Sequence, residues 1–393
     1  MDDEEIIGYD ALWDSAMKCK KGVMWKDSAA HFIHNVVEQV RKLSLELKNG
    51  TYQERPHRYF TVTEPKRREV MSIAFRDRVY QRSLNDVAIY PVMTRSFIRD
   101  NCACQKGRGP DDARDRLACF LHRYYRKYGK DGWALQIDVK GYYPNMSHAA
   151  AKAVFRAKLP ENVYRRAAEI LDGFPGEVGF NPGSQIIQIV GISLLDKVDH
   201  YIKEVLRAKW YQRYMDDMVI IGPDREKLEE MKEAIRAKMR ELECEFHPEK
   251  TRIYPLSEGI RFLGFIFRLT DSGKVLRLLP GDRVKHERKK LFRQIQCAKR
   301  GETDREKCDQ CLMSWMAHAK KGTTHNVRRK MEEYYKGLWE EEEHGNHTEA
   351  DTEPEPLREE ADGGHAGEGG DAGGADRRAG GGAGGAGGDH WGR

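Results

Sequence analysis

The sequence predicts an α+β fold, and three features predict it. Two apolar runs of strand character, Trp133-Ala-Leu-Gln-Ile-Asp138 and Trp210-Tyr-Gln-Arg-Tyr-Met-Asp-Asp-Met-Val-Ile-Ile-Gly222, each carry aspartate where strand gives way to turn. Apolar residues at helical spacing are as plain elsewhere: Leu117, Phe120, Leu121 and Tyr124 form one stripe, and Ile189, Ile192, Leu195, Val198 and Ile202 another. From Arg283 to about Trp339 the pattern is of three helices, dense in Lys and Arg.

In chain order, an irregular helix over about 9–20 precedes a regular one over 28–48, with Phe32, Val36, Val37, Val40, Leu43 and Leu47 as its stripe. Residues 59–79 alternate like two strands broken at Pro65, with Lys66, Arg67 and Arg68 at the junction. Arg76 then opens a helix to about 89, ended by Pro91. The Gly-interrupted stretch Lys106-Gly107-Arg108-Gly109 comes before a helix over 112–128. After Asp138, Ser147 caps a helix to about 158, a second spans 162–171, and a Pro182-Gly183 loop leads into a long helix to about 208. Asp224 starts an amphipathic helix to about 242, residues 247–253 read as a return strand, and 259–267 as a hydrophobic strand pair.

At 393 residues the chain has room for two or three packed units. Charged residues make up 33% and mean hydropathy is −0.76, as in a soluble protein. No run approaches the ~20 apolar residues of a membrane span. The acidic start Met1-Asp-Asp-Glu-Glu5 is unlike a signal peptide, so a cytoplasmic location without membrane partners is expected. The net charge of +5 conceals a segregation: from Glu340 onward 15 acidic residues outnumber 4 basic ones, which leaves +16 on residues 1–339. A body that basic points to a polyanionic partner, nucleic acid first. Eight cysteines show no disulfide framework. Cys308 and Cys311 form a CxxC, with Cys297 and His318 in reach along the sequence; a zinc site normally shows a second, cleaner ligand pair, so these read as ordinary thiols.

The chemistry centres on Asp216 and Asp217. Adjacent carboxylates in an apolar run repel and must be desolvated, unless a tight turn presents them to something that neutralises them. A divalent cation does so. Asp138, ending a neighbouring strand, can meet Asp216 or Asp217 on one face of a sheet, and three carboxylates there suit two hard ions such as Mg²⁺.

The tetrad Tyr214-Met215-Asp216-Asp217, paired with Asp138-Val-Lys-Gly-Tyr-Tyr143, resembles the two metal-binding palm motifs of reverse transcriptases. The resemblance implies that Asp138, Asp216 and Asp217 ligate two Mg²⁺ ions, with Mn²⁺ as the alternative, aided by the Val139 carbonyl. It implies that Tyr143 lies under the sugar and excludes a 2′-hydroxyl. It also implies a right-hand polymerase fold: an N-terminal helical extension (1–54), fingers with the first palm strand (55–137), a palm with an antiparallel sheet (138–280) and a helical thumb (281–339). Composition adds a disordered acidic, Gly-rich tail (340–393).

Further positions follow from the same resemblance. Lys66, Arg67 and Arg68 sit where a fingers hairpin grips the triphosphate, with Arg68 the better fit in spacing. Lys106 and Arg108 match a template-contacting loop. Gly183, Gln188 and Val198-Asp199 fall at the spacings of a palm motif that positions nucleotide and template, although Ile187 replaces an expected Ser and Pro182 lies directly beside Gly183. Lys250 is the candidate general acid for the pyrophosphate leaving group, and Phe262-Leu263-Gly264 matches the hairpin that grips the primer end. The implied activity is RNA-directed DNA synthesis, extending a primer 3′-hydroxyl with dNTPs. The implied partners are an RNA template and a DNA or RNA primer, with an accessory protein or structured RNA in addition. With no RNase H, integrase, endonuclease or maturase domain recognisable after the thumb region, the expectation is a compact bacterial-type enzyme, first of a diversity-generating retroelement. The alternatives are a phage-defence enzyme with template-independent or protein-primed synthesis, or a non-catalytic nucleic-acid-binding protein. The three intact aspartates argue against the last.

Overall fold

The computed structural model describes residues 2–63 and 67–340. Four helices come first: α1 (Asp3–Ile7), α2 (Tyr9–Cys19), α3 (Asp27–His34) and α4 (Val36–Lys48). The predicted 28–48 helix is thus two, broken at Asn35, whose backbone leaves helical geometry and whose side-chain amide donates to the His31 carbonyl at 3.2 Å. Val37, expected in the core, is exposed because the break turns it outward.

Strands β1 (Arg58–Val62) and β2 (Arg68–Ser72) pair antiparallel as an isolated ribbon. Helix α5 (Phe75–Leu84) runs into a π-helical turn over Asn85–Ile89 and then α6 (Tyr90–Met93). Pro91 therefore does not end the helix as expected. It sits in the first turn of α6, where its missing N–H costs little, and the wider π turn before it relieves the clash of its ring. Helix α7 (Pro110–Tyr128) buries Leu117, Phe120, Leu121 and Tyr124 as predicted.

The central sheet is built from β3 (Trp133–Ile137), β4 (Trp210–Tyr214), β5 (Asp217–Gly222) and β6 (Arg252–Pro255) in the antiparallel order β4-β5-β3-β6. Between its strands the chain forms α8 (His148–Arg156), capped by Ser147 as expected, α9 (Glu161–Asp172), α10 (Gln185–Leu194), α11 (Asp196–His200) and α12 (Arg225–Arg240). The long helix predicted to about 208 breaks at Leu195 and closes in a π turn, Tyr201–Val205, although all five residues of its stripe are buried. The return strand is shifted: β6 starts at Arg252, and Lys250 lies in the turn before it.

A second sheet follows, β7 (Ile260–Phe262), β8 (Phe265–Leu269) and β9 (Val275–Leu278). Three helices come last, α13 (Gly281–Lys299), α14 (Arg305–Ala319) and α15 (His325–Glu340), with their own core of Val284, Leu291, Ile295, Cys308, Met331, Tyr335 and Leu338. No helix among the described residues is long and apolar enough to cross a membrane. The tail assigned to 340–393 lies, beyond Glu340, outside the described residues.

Candidate active site

The register of the central sheet brings the aspartates together. In the antiparallel pair β3–β5, Gln136 faces Val219 and Ile137 faces Met218; one step further places Asp138 opposite Asp217, and opposed residues share a face. Asp216 occupies the tight β4–β5 turn with Met215, whose φ of 56° gives the connection its handedness. The turn is fixed from below by Arg213, which is completely buried.

Burial pushes the Asp217 carboxyl up to about 7, opposed by a hydrogen bond from Gln136 and reinforced by the negative charges of Asp216 and Asp138. Asp216 is also raised, by burial first and by Asp138 after. The Lys250 ammonium donates to Asp138 Oδ2 at 3.0 Å. Gln136 Nε2 donates to Asp217 Oδ1 at 3.1 Å and to the Arg261 carbonyl at 2.9 Å, while its Oε1 accepts from the Tyr254 hydroxyl at 2.9 Å. Thr251 Oγ1 donates to the Asp138 carbonyl and accepts from its N–H, both at 3.3 Å. The Asp138 backbone is thereby tied to the turn that carries Lys250.

Among the described residues no three acidic, histidine or cysteine side chains already form a metal cage. The donor set nevertheless fits a hard dication. It offers carboxylate oxygens alone, and two of its members are crowded by like charge, which added positive charge relieves.

The Tyr143 side chain packs against Gly191 of α10, and its hydroxyl finds no hydrogen-bond partner among the described residues. A Cβ on Gly191 would come within 2.7 Å of that hydroxyl, so only glycine leaves room for the ring. Gln188 donates to the Pro182 carbonyl at 3.2 Å, and Cys104 bridges it to the turn with its sulfur 3.7 Å from both Gln188 Oε1 and Met215 Sδ. Ile187, which stands where a Ser was expected, points into the core.

Other predicted positions have local reasons as well. A Cβ on Gly183 would come within 2.7 Å of the Met71 carbonyl, so this glycine lets the α10 entry loop pack on β2. Arg108 donates to the carbonyls of Ile98 and Asn101 and to Gln105, bracing its own loop, whereas Lys106 is exposed over the Tyr90 ring. Arg67 is exposed at the start of β2; Lys66 and the Arg68 side chain lie outside the described residues. The β7–β8 turn has Phe262 buried beneath it, and its Leu263 carbonyl accepts from Arg114 at 3.0 Å. Gly264, at φ 89°, faces His318 and Arg283, and the His318 ring packs tilted against Phe265 with ring centres 4.9 Å apart. His318 is thus a packing residue.

Sequence reasoning passed over Gln136, Thr251, Tyr254 and Arg213. Each looks like an ordinary strand or turn residue until the register is known. The signal for Gln136 was a polar residue inside an apolar strand two positions before Asp138.

No curated protein matches the chain. Among solved structures it resembles apo telomerase from Candida tropicalis truncated from its C-terminal domain, at 12% identity and TM-score 0.41, over 55% of this chain and 53% of that one. It also resembles telomerase from Candida albicans in complex with a TWJ fragment of telomeric RNA, at 10% identity and TM-score 0.44, over 73% of this chain and 55% of that one. The chain thus spans about half the length of these telomerase chains. The family described as reverse transcriptase (RNA-dependent DNA polymerase) matches residues 65–267. That span takes in the whole central sheet and both aspartate motifs, in a mixed fold whose sheets are antiparallel. The chain belongs to the reverse transcriptase family and has its right-hand polymerase fold.

Proposed function

We propose that this protein is an RNA-directed DNA polymerase that adds dNTPs to a primer 3′-hydroxyl on an RNA template. The observation that carries the reading is the register that sets Asp138 opposite Asp217, with Asp216 at the adjoining turn. Reverse transcriptase domains use divalent ions. Here Asp138, Asp216, Asp217 and the Val139 carbonyl would hold two Mg²⁺, or Mn²⁺ in their place. Bound there, the ions make the 3′-hydroxyl more acidic and offset the charge of the triphosphate.

The chain's own residues do the rest. Tyr143 sets the floor under the sugar, where a 2′-hydroxyl would collide with its ring. Gln188 orients the nucleotide and template base from the start of α10. Lys66, Arg67 and Arg68 grip the triphosphate from the β1–β2 ribbon, Arg as a fork and Lys as a point charge. Lys250 delivers a proton to the departing pyrophosphate. Lys106, with Arg108 and Gly183 shaping the loops around it, meets the template, and Phe262-Leu263-Gly264 supports the primer end. In this reading residues 1–54 extend fingers at 55–137, the palm spans 138–280, and the basic helices of 281–339 form a thumb along the duplex backbone. The N-terminal helices and short thumb favour a bacterial enzyme of the diversity-generating retroelement type, acting in the cytoplasm with an accessory protein or structured RNA.

Lys250→Met is expected to lower kcat by about 10²-fold, the low end of what a positioned acid contributes, with little change in KM for dNTP; steady-state kinetics at saturating template check this. The reading as a whole is tested with labelled dTTP on oligo(dT)-primed poly(rA) beside a template-free control. Product that requires the template supports it. Equal product without template would favour template-independent synthesis.

A further inference from the structure

We infer that Arg213 is the residue that sets the position of the aspartate turn, and that its ion pair with Asp199 exists to aim it. The guanidinium is fully buried and every arm of it is committed. Its Nε donates to Asp199 Oδ1 at 2.7 Å and Nη2 to Asp199 Oδ2 at 2.5 Å, a two-pronged pairing that fixes the plane of the group. From that plane Nη2 also donates to the Ile192 carbonyl at 3.0 Å in α10, and Nη1 to the Met215 carbonyl at 2.9 Å in the turn itself. The Tyr211 hydroxyl donates to Asp199 at 2.5 Å and completes its set. Burial pushes the Asp199 carboxyl upward against the pull of Arg213 and Tyr211, and the guanidinium, which does not give up its proton, keeps it paired.

A pair that served stability alone would be an expensive choice, because apolar residues of the same volume often do as well or better. What apolar residues cannot do is reach a turn carbonyl. One rigid fork joins α10, which carries Gln188 and Gly191, to α11 and to the peptide before Asp216, so the nucleotide floor and the carboxylates are held in one frame. Displacing the turn by even an ångström would misplace Asp216 and Asp217 relative to Asp138, a change that costs catalysis about 10²-fold in comparable cases. Arg213 is in this sense a positioning residue.

The inference rests on the polymerase reading, and its test separates the two. Arg213→Ala would strand Asp199 and test folding, so the first variant is Arg213→Lys, which keeps the charge but has a single head that cannot serve Asp199, Ile192 and Met215 together. The second is Asp199→Glu, which keeps the pair and displaces the fork by a methylene. Full-length proteins are assayed below their melting temperatures and normalised to folded protein. Each folded variant is expected to lose roughly 10²-fold in kcat with KM for dNTP largely unchanged. A wild-type kcat in either folded variant, or a loss carried by KM alone, overturns the inference. If the wild type makes no DNA either alone or with its accessory protein or structured RNA, the polymerase reading fails, and Mn²⁺ affinity by titration calorimetry decides the positioning role. Several-fold weaker binding in the variants supports it; equal binding overturns it.

Discussion

Asp217→Asn is expected to lower DNA synthesis by about 10³-fold and, in the same molecule, to raise the melting temperature of the metal-free protein above pH 7. The two effects have one cause. The Asp217 carboxyl is pushed up to about 7 by burial and by the neighbouring charges of Asp216 and Asp138. Its ordinary value is about 3.9, so between about pH 4 and 7 the folded state holds a proton that the unfolded state has released. Stability therefore falls as pH rises through that window and stays reduced above it. Asparagine keeps the shape and can still bond Gln136, yet carries no charge to be repelled, so this fall is lost. What it removes is the negative oxygen that a hard cation requires. Thermal melts from pH 5 to 8 with and without Mg²⁺, run beside incorporation assays, check both halves. A melting temperature that drops in the variant at pH 8 would contradict the like-charge account of the site.

Gly191→Ala is expected to lower kcat/KM for dNTPs roughly 10²-fold, although alanine is ordinarily welcome in a helix. The added Cβ would lie 2.7 Å from the Tyr143 hydroxyl and 3.0 Å from its Cζ, distances that the rigid ring can relieve only by leaving α10. Tyr143→Ala has the opposite result: it opens the floor and admits ribonucleotides, narrowing the preference for dNTPs by about 10 to 200-fold, the range over which apolar contact discriminates. The double variant should then behave like Tyr143→Ala alone, because the clash has lost its partner. Single-nucleotide incorporation with dNTP and rNTP measures all three.

How much of this was readable in the sequence depended on whether a residue's reason is local. Asp138, Asp216 and Asp217 stood out because carboxylates interrupt apolar strands, and the period of two along a strand allowed Asp138 to share a face with one of the pair, Asp216 or Asp217. Ser147 and Asp224 were legible as caps for the same local reason, the side-chain oxygen meeting a free N–H. Arg213 was not legible. Its partner Asp199 lies in α11, and an arginine between Gln212 and Tyr214 reads as one more strand residue until that helix sets Asp199 against it. Pro91 misled because a π turn, which no simple period announces, absorbs its effect. Gly183 was read for its motif, whereas the approach of the Met71 carbonyl supplies a packing reason that only the tertiary structure shows. Arg108 likewise spends its donors on its own loop.

The most direct test of the central claim is incorporation of labelled dNTPs on a primed RNA template with Mg²⁺, comparing the wild type with the Asp216→Ala, Asp217→Ala double variant at equal concentration of folded protein. The predicted result is template-dependent DNA product from the wild type and none above background from the variant. Product of equal yield from both would show that the paired aspartates of the β4–β5 turn are not the catalytic centre, and would contradict the account.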